Sequence, residues 1–178
     1  SIDKTALKLN NLADLDPKVK IVSVSKNEGY GLGMKEGINF SKSDFVILNH
    51  ADLQFDLYIF ILNHWSKLFD LLKCEKFCIV PKRLGRGTLE NFQTNILKSF
   101  IYFILGIKSD FNGQPKIFTN LNKNEINNLL NDYCFDLSLV NYFKYKTINN
   151  LPIIVKNREF GLSSWSGNFY KRVSIFYK

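Results

Sequence analysis

The stretch from Phe45 to Asp56, which reads FVILNHADLQFD, joins an apolar run to a cluster of metal-capable side chains. Its first four residues favour a buried β-strand. Alternate residues of an extended chain share a face, so His50, Asp52 and Gln54 are expected to offer one nitrogen and two oxygens to a divalent cation. Ligands of open α/β sheets bind at the carboxyl ends of strands. The pattern therefore predicts a cation site suited to a diphosphate, although many strands are followed by polar turns that bind nothing.

Strand and helix patterns alternate along the rest of the chain. Strands are predicted at residues 19–24, 45–48, 77–80, 116–118 and 148–155, and helices at residues 4–12, 35–42, 57–72, 93–107, 122–130 and 137–145. Alternation of this kind favours an α/β fold with a mainly parallel sheet flanked by helices. With 178 residues, of which 46% are hydrophobic, residues 1–178 are expected to form a single domain. Asp56 directly precedes a predicted helix and is expected to cap it.

The net charge is +8, from 24 Lys and Arg against 16 Asp and Glu, and this excess favours an anionic partner. The cations are scattered, and no helix-turn-helix, zinc-finger or RNA-binding aromatic motif occurs, so nucleic acid is not expected. The three cysteines are expected to be reduced, which favours a cytoplasmic location. A membrane surface or a phosphorylated substrate is the better match to the charge.

Two further segments contain glycines beside polar or charged residues. In KRLGRGT, residues 82–88, the side chains of Lys82, Arg83 and Arg86 can close over a phosphate, or the segment can be an exposed basic turn. In NEGYGLG, residues 27–33, the glycines permit the positive φ values that a helix start close to a ligand requires, although most such turns hold no ligand.

A nearly apolar run of eight residues lies within residues 94–107. This run is far shorter than the roughly 20 residues that span a bilayer. It is either a buried core helix or, because Lys98, Lys108 and two arginines are nearby in sequence, a helix that lies in the headgroup layer of a membrane.

Five elements in this order resemble a family-2 glycosyltransferase of the GT-A fold, and they cover nearly the whole chain. The elements are residues 27–33, 50–54, 83–86, the box DFNGQPK at 110–116 and the segment REFGLS at 158–163. Within this family the chain looks like the polyprenyl-phosphate sugar transferases and is similar to dolichyl-phosphate mannose synthase. The resemblance implies a metal-dependent hexosyltransferase with Mn²⁺ or Mg²⁺ as cofactor, a nucleotide-sugar donor and a polyprenyl (dolichyl or undecaprenyl) phosphate acceptor. It also implies a role in cell-envelope glycan synthesis at the cytoplasmic face of the membrane, to which the protein is bound peripherally.

The resemblance also implies roles for individual residues. The metal ligands are His50, Asp52 and Gln54; the donor-binding residues are Asn27, Gly29, Gly31, Asp52, Arg158 and Ser163; the acceptor-phosphate residues are Lys82, Arg83 and Arg86; and the catalytic residues are Asp52, Arg158 and Asp110. His50 stands where an aspartate is usual. Because imidazole is a neutral and softer ligand, manganese is favoured over magnesium.

Three departures leave a second interpretation open. Residues 1–5 look like the tail of the motif that ends the family's second strand, so the first strand-helix-strand unit is expected to be missing. Leu162 stands where lysine is frequent, and Ser138 where an acid is frequent. The alternative is therefore a catalytically inactive GT-A-like fragment or regulatory subunit, and an uncovered sheet edge would favour self-association. An unrelated phosphate-binding or nucleic-acid-binding module is the third interpretation.

Overall fold

The computed structural model describes residues 4–26 and 28–156. They fall into two compact units, and we describe each by itself. The first unit comprises residues 1–44 with 120–139, and the second comprises residues 45–119 with 140–178. The expectation of a single domain over residues 1–178 stays a prediction.

The described residues form six α-helices and six β-strands. The helices are α1 (Thr5–Leu15), α2 (Tyr30–Phe40), α3 (Leu57–Leu71), α4 (Thr88–Leu105), α5 (Lys123–Asn127) and α6 (Phe135–Tyr142). The strands are β1 (Phe45–Leu48), β2 (Cys78–Ile79), β3 (Lys82–Leu84), β4 (Lys116–Thr119), β5 (Thr147–Ile148) and β6 (Pro152–Ile154). A short 3-10 helix spans Lys144–Lys146.

In the first unit, α2 packs against the segment that follows α5. Ile38 of α2 and Ile126 of α5 are both buried. The buried ammonium of Lys35 donates to the carbonyl oxygens of Leu129 at 2.8 Å and Asn127 at 3.2 Å. Carbonyls at the end of a helix lack intrahelical donors, so a lysine there satisfies groups that would otherwise be exposed to solvent or unpaired.

In the second unit, four strands form a sheet in the order β1-β4-β2-β5, and β3 pairs with β6 separately. β4 is antiparallel to β1 and β2, whereas the pairs β2 with β5 and β3 with β6 are parallel. The α/β class is confirmed, but the sheet is mixed and not mainly parallel. The chain reverses after α4 in a turn closed by the Gly113 amide and the Asp110 carbonyl at 2.7 Å, so β4 enters the sheet in the opposite direction.

The core of the second unit lies between this sheet and α3. It contains Phe55, Phe60, Leu68, Phe77, Ile79, Ile117, Leu151 and Ile153. Burial of a side chain such as Phe60 contributes about 2 kcal/mol of transfer free energy. The predicted cap of α3 is confirmed, because Asp56 Oδ1 accepts a hydrogen bond from the Ile59 amide at 3.1 Å.

Two strand predictions are wrong. Residues 19–24 form no strand, and Ile21, Val22 and Val24 are exposed, so their β-branched character found no partner strand within the described residues. Residues 148–155 were predicted as one strand and instead give β5 and β6, which pair with different strands. The Asn149-Asn150 pair between them favours a turn.

Helix α4 has two faces, of which one is apolar and exposed. It starts at Thr88, five residues earlier than predicted, and ends at Gly106, whose φ of 68° is the left-handed conformation of a helix C-cap. Its buried residue is Ile101. The opposite face presents side chains that are between 55% and 89% exposed, namely Leu89, Phe92, Ile96, Phe100 and Phe103. We call these five residues the α4 stripe. Among the described residues, no helix has the length and apolarity needed to cross a bilayer.

Candidate functional site

The segment after β1 is a turn and does not continue the strand. β1 ends at Leu48, and Leu53 takes a positive φ of 58°, so the alternation expected of an extended chain does not extend to Gln54. His50, Ala51, Asp52 and Leu53 line a cavity of about 420 Å³. The structure therefore places two of the three predicted metal ligands, His50 and Asp52, at one cavity.

The third predicted ligand, Gln54, has other contacts. Its Nε2 donates to the Lys156 carbonyl at 3.4 Å, and the Lys156 amide donates to the Gln54 carbonyl at 2.9 Å. Lys156 Nζ also lies 2.9 Å from Asp56 Oδ2. Hydrogen bonds from Lys156 and from the Ile59 amide lower the pKa of Asp56. These contacts attach the turn to the chain that follows β6, and Gln54 is not among the residues that line the cavity.

The His50 imidazole and the Asp52 carboxylate at the cavity are suited to a cation that the substrate also binds. Within the described residues, no group of three His, Cys, Asp or Glu side chains could hold a metal ion. Asp52 Oδ1 accepts a hydrogen bond from the Gln54 amide at 3.3 Å, which orients the carboxylate. Magnesium commonly takes one or two protein ligands and completes its shell with water and phosphate oxygens. One imidazole and one carboxylate therefore suit a cation that binds together with a diphosphate.

Arg83 and Asp110, which were predicted for different roles, bind each other. Arg83 donates from Nε to Asp110 Oδ2 at 2.6 Å and from Nη2 to Oδ1 at 2.7 Å. The two side chains are 13% and 12% exposed. Both oxygens of the Asp110 carboxylate thus accept charge-assisted hydrogen bonds from one guanidinium group. This contact orients Arg83, and the catalytic role expected of Asp110 stays a prediction.

Arg86 is held at the start of α4. Its Nη1 donates to Thr94 Oγ1 at 2.6 Å, and its Nε lies 3.3 Å from Glu90 Oε2. Burial lowers the pKa of Arg86, and the charge of Arg83 lowers it further. The charges of Glu90 and Asp110 raise the pKa of Arg86 and so offset part of the effect of Arg83. Lys82, on β3, is exposed.

Gly113 brings the Asp110 carboxylate to its place. A Cβ at Gly113 would lie 2.7 Å from the Pro81 carbonyl oxygen and 3.2 Å from Val80 Cγ1. Such distances are too short for any side chain, so only glycine lets the turn from Asp110 to Gly113 lie against the β2–β3 connection. The sequence showed the Asn-Gly turn but gave no sign of its contact with Pro81.

The predicted donor-binding glycines lie against the chain's own backbone. Gly29 has a φ of 122°, and a Cβ there would lie 2.7 Å from the Asn131 carbonyl oxygen. A Cβ at Gly31 would overlap the Leu130 carbonyl oxygen, and the Leu32 amide donates to the Asn131 carbonyl at 2.9 Å. These glycines are required for packing in the first unit, and their role in donor binding stays a prediction. The predicted residues Asn27, Arg158 and Ser163 lie outside the described residues.

A comparison with protein families matches residues 1–148 to the model described as Glycosyl transferase family 2. The chain belongs to glycosyl transferase family 2. The match includes the turn from His50 to Gln54, together with Arg83, Arg86 and Asp110. It supports glycosyltransferase activity in general, with a nucleotide-sugar donor and an acceptor. Members of this family generally use a divalent metal. A search of curated proteins finds no match to the chain.

In this family-2 chain, α6 contains an acidic residue whose contact the sequence did not reveal. Tyr30 Oη donates to Asp136 Oδ2 at 3.3 Å, and the Tyr30 ring stacks on Tyr133 with ring centroids 6.5 Å apart. Burial raises the pKa of Tyr30, and the charge of Asp136 raises it further. Ser138, where the family resemblance leads us to expect an acid, donates to the Phe135 carbonyl at 2.8 Å. Its hydroxyl therefore has a structural contact within the first unit.

Proposed function

We propose that this chain transfers a hexose from a nucleotide-diphosphate sugar to a polyprenyl phosphate, either dolichyl or undecaprenyl phosphate. The reaction takes place at the cytoplasmic face of the membrane, to which the protein is peripherally bound. The observation that carries the proposal is the α4 stripe, because five large apolar side chains face solvent on the helix that begins directly after Arg86.

The stripe and the arginines together suit an amphipathic acceptor. Arg83 and Arg86 provide charge at the N-terminal end of α4, and Phe100 and Phe103 provide apolar surface further along it. A polyprenyl phosphate has the same two parts, an anionic headgroup and an apolar chain. A helix with cations beside a broad apolar face lies in the headgroup layer, where such a lipid is found.

The energies are sufficient for peripheral binding. Each Phe of the stripe that moves from water into the acyl boundary contributes about 2 kcal/mol. Each cation near an anionic leaflet contributes about 1 kcal/mol. Several such contributions exceed the free energy that a single lipid anchor supplies, which gives only marginal and reversible binding.

On the donor side, His50 and Asp52 are the residues that would hold a divalent cation. When bound, this cation supplies positive charge that stabilises the departing nucleoside diphosphate. Asp52 orients its carboxylate through the Gln54 amide, so the ligand is arranged before substrate arrives. Arg158 is expected to add a second cation to the diphosphate, as the family resemblance implies.

On the acceptor side, the attacking group needs no general base. A phosphate oxygen of the lipid is already anionic, and it forms the new bond to the sugar C1 while the bond from C1 to the diphosphate breaks. A sugar hydroxyl would instead need a carboxylate to take its proton. The acid placed nearest the arginines, Asp110, is occupied by Arg83, and this favours the anionic acceptor.

A specific observation favours the alternative of an inactive GT-A-like fragment or regulatory subunit. Ser138 replaces a frequent acid, and its hydroxyl accepts from the Leu130 amide at 3.2 Å as well as donating within α6. Serine has no carboxylate, so this position cannot supply one to the reaction.

The test is transfer of labelled sugar into lipid. The chain is incubated with Mn²⁺, anionic liposomes that contain undecaprenyl or dolichyl phosphate, and UDP-linked or GDP-linked hexoses. We expect label in the organic extract, and its loss in the Asp52→Asn variant. Transfer only to a soluble sugar acceptor would contradict the lipid acceptor, and donor binding without any transfer would favour the inactive subunit.

A further inference from the structure

The end of β1 and the start of β4 meet at a buried lysine. Leu48 and Lys116 are partners in the β1–β4 register. Lys116 and Gln114 are both 0% exposed. With the Gln114 amide oriented so that both its groups are satisfied, its nitrogen donates to the Leu48 carbonyl at 2.9 Å and its oxygen accepts from Lys116 Nζ at 2.9 Å. Hydrogen bonds thus connect the Lys116 ammonium through the Gln114 amide to the Leu48 carbonyl. This carbonyl precedes the turn that contains His50 and Asp52.

A lysine in this position has a high energetic cost. Removing an ammonium group from water costs several kcal/mol even after relaxation, and fully buried lysines are rare unless they are hydrogen-bonded. A methionine would fill a similar volume without that penalty. The hydrogen bond to Gln114, and through it to Leu48, is a contact of Lys116 that an apolar side chain cannot replace.

The turn starts at Asn49. Its Oδ1 is buried without a hydrogen-bond partner in the described part of the chain. This oxygen therefore does not fix the direction in which the backbone leaves β1. The hydrogen bond from Gln114 to the Leu48 carbonyl acts on the peptide group that joins Leu48 to Asn49, and so it can set this direction.

We propose that Lys116 and Gln114 are positioning residues for the turn that contains His50 and Asp52. Lys116 fixes the Gln114 amide, the amide fixes the Leu48 carbonyl, and the backbone then leaves β1 with both ligands at one cavity. The proposal rests on the proposed cation site and extends it to two residues that do not line that cavity.

The chain supplies a matched control in its other buried lysine. Lys35 lies in α2 of the first unit and donates to the Leu129 carbonyl and to Asn131 Oδ1, each at 2.8 Å. Replacing either lysine by methionine removes a buried ammonium group and the hydrogen bonds that it donates. An effect that only Lys116→Met produces on the turn cannot be attributed to the general loss of a buried charge.

The first measurement is amide hydrogen exchange of residues 49–54. In Lys116→Met we expect exchange in this turn to be at least about tenfold faster than in the wild type, while Lys35→Met leaves it unchanged. Equal exchange in the wild type and a folded Lys116→Met variant would overturn the proposal. This measurement needs no metal, so it is independent of whether the cation site is correct.

We call the hydrogen bonds from Lys116 through Gln114 to Leu48 the relay. A second variant tests the relay without removing the buried lysine. Gln114→Glu keeps an acceptor for Lys116 but loses the N–H that donates to Leu48. We expect a melting temperature near that of the wild type together with faster exchange of the turn. Slow exchange in Gln114→Glu would overturn the relay, and this variant decides the matter even if Lys116→Met fails to fold.

The third measurement is Mn²⁺ binding in the presence of inorganic pyrophosphate, followed by the electron paramagnetic resonance signal of free Mn²⁺. We expect about tenfold weaker binding in Lys116→Met and Gln114→Glu and no change in Lys35→Met. Unchanged binding in both relay variants would overturn the proposal. If the wild type binds no Mn²⁺, the metal part of the proposed function is wrong, and hydrogen exchange still decides the role of Lys116.

Discussion

Two glycine-containing segments that look alike in the sequence have different surroundings in the structure. Around Gly29 and Gly31, backbone atoms of residues 130–131 fill the space that a side chain would need. A Cβ at Gly87 would have no neighbour within 4 Å, whereas a Cβ at Gly85 would be in ordinary contact with Ile154 and Val155 at 3.6 Å. Gly85 is needed for its φ of 81°, and not for lack of room.

The glycines of the two segments therefore have different roles. We call residues 27–33 the closed segment and residues 82–88 the open segment. The first segment is closed by the chain's own backbone, so its glycines hold α2 against residues 130–131. The second segment has room for a side chain at Gly87, the residue after Arg86. A glycine pattern therefore reports that a side chain is not tolerated or not needed, and only the structure shows which of the two applies.

The largest expected effect tests the closed segment. Gly31→Ala places a Cβ inside the Leu130 carbonyl oxygen, so we expect a loss of more than about 3 kcal/mol in the free energy of unfolding. Gly33→Ala is the matched control, because its Cβ meets no atom within 4 Å and lies inside α2. It should stabilise the protein by about 0.8 kcal/mol. Urea denaturation measures both, and equal stability of the two variants would remove the distinction.

The next effect concerns the ion pair beside the open segment. Arg83→Met leaves the Asp110 carboxylate largely buried without its partner, so we expect a loss of about 2–3 kcal/mol. Asp110→Leu should lose a similar amount, whereas the double variant should regain most of the stability because no charge is left unpaired. If the double variant is folded but still transfers sugar to polyprenyl phosphate at the wild-type rate, Arg83 does not bind the acceptor.

A third prediction concerns membrane binding by the α4 stripe, which follows the open segment in the chain. Phe100→Ser with Phe103→Ser removes two exposed rings of the α4 stripe, so binding to anionic liposomes should weaken about 1,000-fold. Stability should change by less than about 0.5 kcal/mol per site because both rings are exposed. Co-sedimentation at low and high salt measures the binding.

The control for this third prediction is the double variant Trp65→Ser with Phe69→Ser, which removes two exposed rings from α3. We expect it to bind liposomes nearly as well as the wild type. An equal loss in both double variants would mean that the protein adheres through any exposed apolar surface, and the α4 stripe would no longer support the membrane proposal.

A fourth prediction asks which unit holds the cation. Asp52→Asn should weaken the joint binding of Mn²⁺ and a nucleoside diphosphate about tenfold, because the remaining ligand, His50, is neutral. His50→Asp should improve binding of Mg²⁺. Gly33→Ala, in the first unit, should leave Mn²⁺ binding unchanged. Calorimetric titration measures these affinities, and equal affinity in the wild type and Asp52→Asn would exclude Asp52 as a ligand.

The smallest effect is a pH dependence in the closed segment. Because the pKa of Tyr30 is raised in the folded protein, the folded state holds this proton more tightly than the unfolded chain does. The resulting stability is complete below a pH of about 10 and is lost as the pH rises above it. Tyr30→Phe should lose about 1 kcal/mol at neutral pH, from the hydrogen bond to Asp136, and should lack this alkaline loss. Parallel alkaline unfolding curves for the two proteins would contradict the prediction.

Local signals in the sequence predicted much of the fold. β1 and α3 could be predicted because an apolar run, a capping Asp56 and a helical pattern follow one another within a short stretch. The strand predicted at residues 19–24 failed because strand propensity describes a fit to neighbours, and the described residues provide none.

The candidate site was predicted less completely, for a physical reason. Alternation placed His50, Asp52 and Gln54 on one face, but the backbone turns at Leu53, and no sequence pattern signals a positive φ at a leucine. The pairs of Arg83 with Asp110 and of Tyr30 with Asp136 join residues far apart in sequence. Such contacts depend on how the elements pack, which periodicity does not specify.

Leu53 has a consequence for how the site could change over evolutionary time. A residue with a Cβ loses about 1–2 kcal/mol in the left-handed conformation that Leu53 adopts, and its side chain, 56% exposed, recovers little of this by packing. The neighbourhood of the turn has therefore imposed a geometry that the residue itself disfavours. Replacing Leu53 by glycine or asparagine would remove this backbone strain. A single substitution at Leu53 could thus change the conformation of the turn while His50 and Asp52 stay the same.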